Sequence, residues 1–309
     1  AMQGCSMMKA LLLHVGIDST NLGVSAPIFT DQTFEYIPIP EFITKTKYLM
    51  KHPNGRLFVW DFDEQEESGE YPWVHESIAR VYSDIPVDPS TKGKGHGAFL
   101  GDYIPAKFGS AVVHHDPNFD YSTYADRVDD SRGKQLKHLD PEDYLVFVAS
   151  LAPYEKEAYQ GERTVGQIAI FQRLRKAKYL IGYIKVREVY RVKFNTKRFK
   201  KDFSNVSRIF PKDKVPHRRR KDIQVDPSIK GQISMNAHSS RDEDEYYIVV
   251  GFKEESRRLQ FASKITEKSP FKPNETGKRI FRKRFSRGFK WVCEDLQLGN
   301  LLAALDASS

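Results

Sequence analysis

The chain has 309 residues, 39% of them hydrophobic and 29% charged, with 20 Phe and 15 Tyr. That excludes a disordered or fibrous chain and leaves material for one large core or two modest ones. The formal net charge is +8, and no apolar run reaches the roughly 18 residues that a membrane span needs.

The charge is unevenly spread. Residues 1–150 carry 13 Lys or Arg against 22 Asp or Glu, and residues 151–309 carry 36 against 19, giving halves of −9 and +17. A polyanion, DNA or RNA, is therefore the expected partner of the second half, and no lipidation motif points to a membrane. Cys5 and Cys293 stand alone at opposite ends, without metal-ligand spacing or a disulfide framework, so a cytoplasmic setting is expected. The opening "AMQGCSMMK" reads in part as a cloning remnant. "ALLLHVGI" is too short for a signal peptide and lacks a small-residue cleavage site.

In chain order, "KALLLHV" predicts a first apolar strand, "FEYIPIP" an edge strand that tolerates prolines, and "RLFVWDF" another strand. "DEQEESGE" is an acidic loop, and "YPWVHESIARVYSD" has apolar residues near helical spacing. Residues 86–109, with "DPSTKGKGHGAFLGD", predict a long mobile loop that lacks the spacing of a P-loop. "EDYLVFVASL" predicts a buried strand. "KYLIGYIKVREVYRV" predicts a long strand with a bend or bulge at its glycine. "EYYIVVGF" and "RLQFASKI", joined by "KEESR", read as a hairpin. "WVCEDLQLGNLLAALD" reads as a helical finish interrupted near Gly299.

Cations and aromatic rings alternate in two places. Between Lys193 and Lys221 lie twelve Lys or Arg against two acids, with Phe194, Phe199, Phe203 and Phe210 interleaved. "GKRIFRKRFSRGFK" adds seven basic residues and no acid. Phosphates need cations and bases need flat apolar partners, which makes Lys197, Arg198, Lys200, Lys201, Arg218, Arg219, Arg220, Lys221, Arg282, Lys283 and Arg284 the expected nucleic-acid surface. Phe281, Phe285 and Phe289, spaced by four, would form one core stripe on a helix.

Two stretches carry candidate chemistry. "GIDST", after the first strand, offers Asp18 and Ser19 at a strand end, against the simpler reading of a surface loop. In "AVVHHDPNFD", His114, His115 and Asp116 could move a proton or share a metal, or merely form an Asp-Pro turn. A metal would need further ligands such as His138, His238 or Asp18, and none is assigned. The sequence names no cofactor. Cys293, in an apolar helical context, is no nucleophile.

Taken together, "GIDSTNLGVSAPIF" with "IPIPE", then "HHDP", "LKHLDPEDYLVFVASL", "LIGYIKV" and the histidine of "NAHS" resemble the nucleotide-modification-associated domain family of the third type. The resemblance covers most of residues 9–262. No single motif is specific, but their order is. It implies a site built from Gly16, Asp18 and Ser19, Pro27, His114 or His115 with Asp116, and His238. It also implies a role in base modification of DNA or RNA, without naming a reaction. This sequence departs from the family pattern at Glu142, where the family has glycine before the Asp of the central strand. It departs also in "RGKQ", where a Gly-Gln pair is expected, and in a basic insertion around 193–221. A weaker likeness of "DYLVFVASL" and "YLIGYIKVREV" to PUA-like barrels implies instead a non-catalytic reader of modified bases. A structural nucleic-acid-binding protein is the third alternative.

The expected fold is α+β and strand-rich, with a central bent sheet or barrel and flanking helices. One domain over 9–265 is followed by a basic segment and C-terminal helix, 266–309, packed on the same domain.

Overall fold

The computed structural model describes residues 8–17, 22, 24–40, 49–51, 57–59, 81–109, 113, 117–120, 122–159, 176–195, 208–211, 243–267, 272–281 and 288–309. The strands of the main sheet are β1 (Ala10–Val15), β2 (Ala26–Ile28), β5 (Thr123–Arg127), β6 (Tyr144–Pro153), β7 (Ala177–Asn195), β8 (Arg208–Pro211), β9 (Glu243–Gly251), β10 (Arg257–Lys264) and β11 (Phe289–Val292). Their path runs β11-β1-β6-β7-β9-β5, with β2 on β6 and with β8 and β10 on β7. β3 (Leu49–Lys51) and β4 (Leu57–Val59) form a separate antiparallel pair. The fold is α+β with a mixed sheet that stays open, so the barrel alternative is corrected: β5 and β11 end the path without pairing each other.

The centre of the sheet is buried on both faces, which is why β1 and β6 read as continuous apolar runs rather than alternating ones. Leu11, Leu13 and Val15 of β1, with Leu145, Phe147, Ala149 and Leu151 of β6, face one core. Ala10, Leu12, Val146 and Val148 face the other, which α3 (Glu275–Phe281) and α4 (Asp295–Asp306) cover with Ile280, Phe281, Leu298, Leu301 and Leu305. The first face is covered mostly by irregular chain, including Ile17, Leu22, Val24, Phe34, Ile37, Tyr82 and Tyr103. Two short helices, α1 (Gly133–Leu136) and α2 (Lys156–Tyr159), flank it. No helix among the described residues is long and apolar enough to cross a membrane.

The long β7 bends where the sequence predicts. Its pairing with β6 and with β10 shifts register around Gly182, and a Cβ there would lie 2.4 Å from the Phe119 ring and 2.9 Å from the Arg257 carbonyl.

Other expectations are corrected. β9 and β10 are not a hairpin: both run antiparallel to β7, β9 along Val186–Asn195 and β10 along Tyr179–Tyr183, one after the other on the same edge. The 3-10 turn Lys253–Glu255 between them does not reverse the chain, because Phe252 N and Ser256 Oγ take up the O and N of Lys185 and carry the ladder across the gap. "FEYIPIP" is a buried extended segment rather than an edge strand. Its prolines withhold N–H donors, and among the described residues only isolated bridges, Ile28 with Phe34 and Pro40 with Val113, form at its ends. α4 runs through Gly299 without interruption, while Trp291 belongs to β11. Phe281 and Phe289 lie on α3 and β11, so they share no helical stripe, and Phe285 is outside the described residues. Cys293 is exposed between β11 and α4, not set in an apolar helix. The long loop expected over residues 86–109 is present and contains three 3-10 turns, Pro89–Thr91, Leu100–Tyr103 and Ala106–Phe108, the first capped by Asp88 accepting from Ser90 N.

Candidate functional site

The site implied by the sequence begins where β1 ends. β1 lies parallel to β6 as far as Val15 beside Ala149, and β2 resumes on the same edge with Ala26 beside Leu151. The chain therefore leaves β6 and returns to it only two residues further along, roughly 7 Å. β1 and β2 thus lie in one line along the same edge of β6.

Gly16 follows β1 at φ +76°, where a Cβ would lie 2.9 Å from the Tyr36 ring and 3.1 Å from the Ile37 carbonyl. Both the backbone conformation and the close approach require glycine. The next residue, Ile17, is buried, and its N–H donates to the Ile37 carbonyl at 2.9 Å. Three residues beyond Ile37, Pro40 bridges Val113, the residue before the two histidines. An extended stretch of three residues spans at most about 11 Å. The segments entering "DST" and "HHDP" are thus anchored on one buried stretch, which Tyr82 holds by donating its hydroxyl to the Pro38 carbonyl at 2.6 Å.

Asp18, Ser19, His114, His115, Asp116 and His238 lie outside the described residues. So do Lys197, Arg198, Lys200, Lys201, Arg218, Arg219, Arg220, Lys221, Arg282, Lys283 and Arg284. Pro27 is described: it sits in β2 beside Ala152, and its carbonyl accepts from Glu35 N at 3.1 Å. No group of three His, Cys, Asp or Glu side chains that could hold a metal occurs among the described residues.

Around the end of β1 the structure gathers polar groups that the sequence did not single out. Arg132 donates from Nη1 to the His14 carbonyl at 3.3 Å and pairs through Nε with Asp126 at 3.1 Å. Asp126 is buried and also accepts from the Tyr124 hydroxyl and from Arg127 N. Burial pushes its carboxyl upward, and the Arg132 charge opposes that shift. The guanidinium is thereby tied between the end of β1 and the buried Asp126. On the opposite face His14 Nε2 meets Ser150 Oγ at 3.0 Å.

"RGKQ" has a clear local logic. A Cβ on Gly133 would fall 1.8 Å from the Arg127 carbonyl, and Gln135 Oε1 accepts from Trp291 Nε1 at 3.0 Å. Glu142 has φ +76°, the conformation glycine adopts freely, and its carboxylate pairs with Lys185 at 2.8 Å.

The chain leads next to Glu35. This side chain is 1% exposed, accepts from Asp88 N at 3.2 Å on both oxygens and lies within hydrogen-bond reach of the Thr91 hydroxyl. Burial pushes it up to about 7, against the Thr91 bond and the nearby Arg258 charge. The neutral form also balances the hydrogen-bond count. Thr91 has one hydroxyl proton but faces two acceptors, Glu35 and the Asp88 carbonyl at 2.9 Å. A protonated Glu35 donates to Thr91, which donates onward to Asp88. Arg258 closes the group, pairing with Asp88 at 2.5 Å, donating to the Phe34 carbonyl at 2.7 Å and lying over the Phe34 ring. The signal available in the sequence was a single acid inside the otherwise apolar "FEYIPIP".

Comparison with curated proteins and with solved structures returns no match. Residues 9–260 match the family described as nucleotide modification associated domain 3, over a span that includes β1, the Glu35 group, the Arg132–Asp126 pair and the long β7. The ordered motifs, the glycine turn after β1 and this match agree, and the chain belongs to the nucleotide modification associated domain 3 family.

Proposed function

We propose that this protein acts in the modification of a base in DNA or RNA, with its reacting groups at the carboxyl end of β1. The observation that supports this most directly is the common anchorage of Ile17 and Val113 on the stretch Ile37–Pro40, which brings the approaches to "DST" and "HHDP" together. On this reading Asp18 and either His115 or His238 form a carboxylate–imidazole pair for proton transfer, and Ser19, His114 and Asp116 complete the site. The basic second half, at +17, holds the polyanion through its phosphates.

The test is the mass spectrum of nucleosides from nucleic acid isolated from cells with and without this protein. A new nucleoside that depends on the protein, and that disappears in Asp18→Asn and in His115→Ala, supports the proposal. Nucleosides unchanged by the protein overturn it and leave a reader of modified bases. A modification that survives both substitutions removes these residues from the site.

A further inference from the structure

Past the carboxyl end of β6, four aromatic side chains meet. His96, Tyr154 and Tyr159 are half-buried, while Tyr103 beneath them is 1% exposed. The His96 and Tyr154 rings, and the Tyr154 and Tyr159 rings, lie within 15° of parallel at 5.9 Å between centroids. His96 and Tyr159 lie at 6.0 Å and 30°. Tyr103 meets His96 at 4.8 Å and turns its edge to both other tyrosines.

Hydrogen bonds hold each of the three half-buried rings in place. Tyr159 donates its hydroxyl to the Ser25 carbonyl at 2.8 Å. His96 Nε2 meets the Asp102 carbonyl at 2.8 Å, and a carbonyl can only accept, so Nε2 carries a proton. In the neutral ring Nδ1 then accepts from the Tyr154 hydroxyl at 3.0 Å. The glycines on either side of His96 permit this placement. A Cβ on Gly95 would fall 1.7 Å from the Tyr103 hydroxyl, and one on Gly97 would fall 2.3 Å from Asp102 Cβ. The loop is shaped to press one imidazole against a tyrosine cluster.

Core packing accounts for Tyr103. It does not account for three neighbouring rings left partly in water, with their edges already fastened to backbone and to each other. Such rings present apolar π-surface that loses little freedom when covered. The cluster also adjoins Ser25, where the chain, having left β1 at Gly16, returns to the sheet.

We propose that His96, Tyr154 and Tyr159 form a stacking site for a planar, uncharged heteroaromatic ring, a nucleobase. This rests on the base-modification reading and adds to it the surface on which the target base lies.

The experiment uses the full chain with the neutral nucleosides deoxyadenosine, deoxycytidine, deoxyguanosine and thymidine, which carry no phosphate for the basic segments to hold. Saturation-transfer NMR should show protein magnetisation reaching the base protons. Tyr159→Ala and Tyr154→Ala should each weaken binding by about 5- to 150-fold, the range for loss of one stacking partner. Tyr159→Phe, which keeps the ring but loses the Ser25 bond, should weaken binding less than Tyr159→Ala. Tyr159→Leu retains apolar volume without a π-face and, if the alanine variants unfold, serves in their place with the same expected loss. No transfer to any nucleoside at about 10 mM, or binding by folded Leu or Ala variants equal to wild type, overturns the stacking site. Ring-dependent binding with no modified nucleoside in cells overturns only the modification reading. A modified nucleoside with ring-independent binding overturns only the stacking site.

Discussion

Glu35 illustrates how far burial can carry a single residue from its ordinary chemistry. Its carboxyl, pushed up to about 7 from an ordinary 4.5, binds a proton more tightly in the folded than in the unfolded chain. Between those pH values the folded state holds more protons, so stability falls as pH rises and is highest below about 4.5 as far as this group is concerned. The full loss across that window is roughly 3 kcal/mol. Asp126, also raised by burial, contributes in the same direction. Glu35→Gln keeps an acceptor for Asp88 N and a donor for Thr91 but has no proton to lose. Urea midpoints at pH 5 and pH 8 should therefore fall more for wild type than for Glu35→Gln; equal falls would mean that Glu35 titrates normally. Glu142 makes a related point about backbone. A glutamate occupies a left-handed position, held there by its N–H donating to the Val186 carbonyl at 2.8 Å and by the Lys185 contact.

Among the elements, α4 shows what a glycine costs when nothing requires it. Gly299 lies within the helix Asp295–Asp306, and a Cβ there meets nothing within 4 Å. The helix persists because Leu298, Leu301 and Leu305 pack beneath β1, β6 and β10, outweighing the poor propensity of one residue. Gly299→Ala should stabilise the protein by about 0.5–1 kcal/mol, visible as a higher melting temperature. An unchanged or lower melting temperature would mean that the helix needs glycine there. Gly16 and Gly182 are the opposite case, since each is closed in by a neighbouring ring and a carbonyl. Glycine at the end of one strand and in the middle of another therefore reads correctly from sequence as a turn and a bend. Within the last helix it reads wrongly as a break, because the packing that overrides it comes from distant strands.

For the whole molecule, the balance of −9 in the first half and +17 in the second predicts association with nucleic acid that weakens steeply with salt. Replacing Arg218, Arg219 and Arg220 together with Ala should weaken binding to duplex DNA and to RNA. It should also lower the slope of log K against log salt by up to about 0.9 for each duplex phosphate that is no longer neutralised. Filter binding across a salt series measures both, and a wild type that binds neither polymer at low salt would refute the role given to this half.

By itself, the sequence determined the strand-rich α+β class, the buried β6, the long bent β7 and the family. These depend on apolar runs, β-branched residues and motif order, which are local properties of the chain. It also marked "FEYIPIP" as extended, because proline restricts the residue before it wherever it lies. Only tertiary structure decided that β9 and β10 share one edge of β7, since the Lys185 backbone groups that bridge them lie about seventy residues away in the chain. Likewise, Arg132 reaches the end of β1 across 118 residues, Arg258 reaches Asp88 across 170, and His96 reaches Tyr154 across 58. No local pattern encodes such contacts. They arise when the sheet and its covering loops bring polar groups into places with little water, where each must find a partner or change its protonation state.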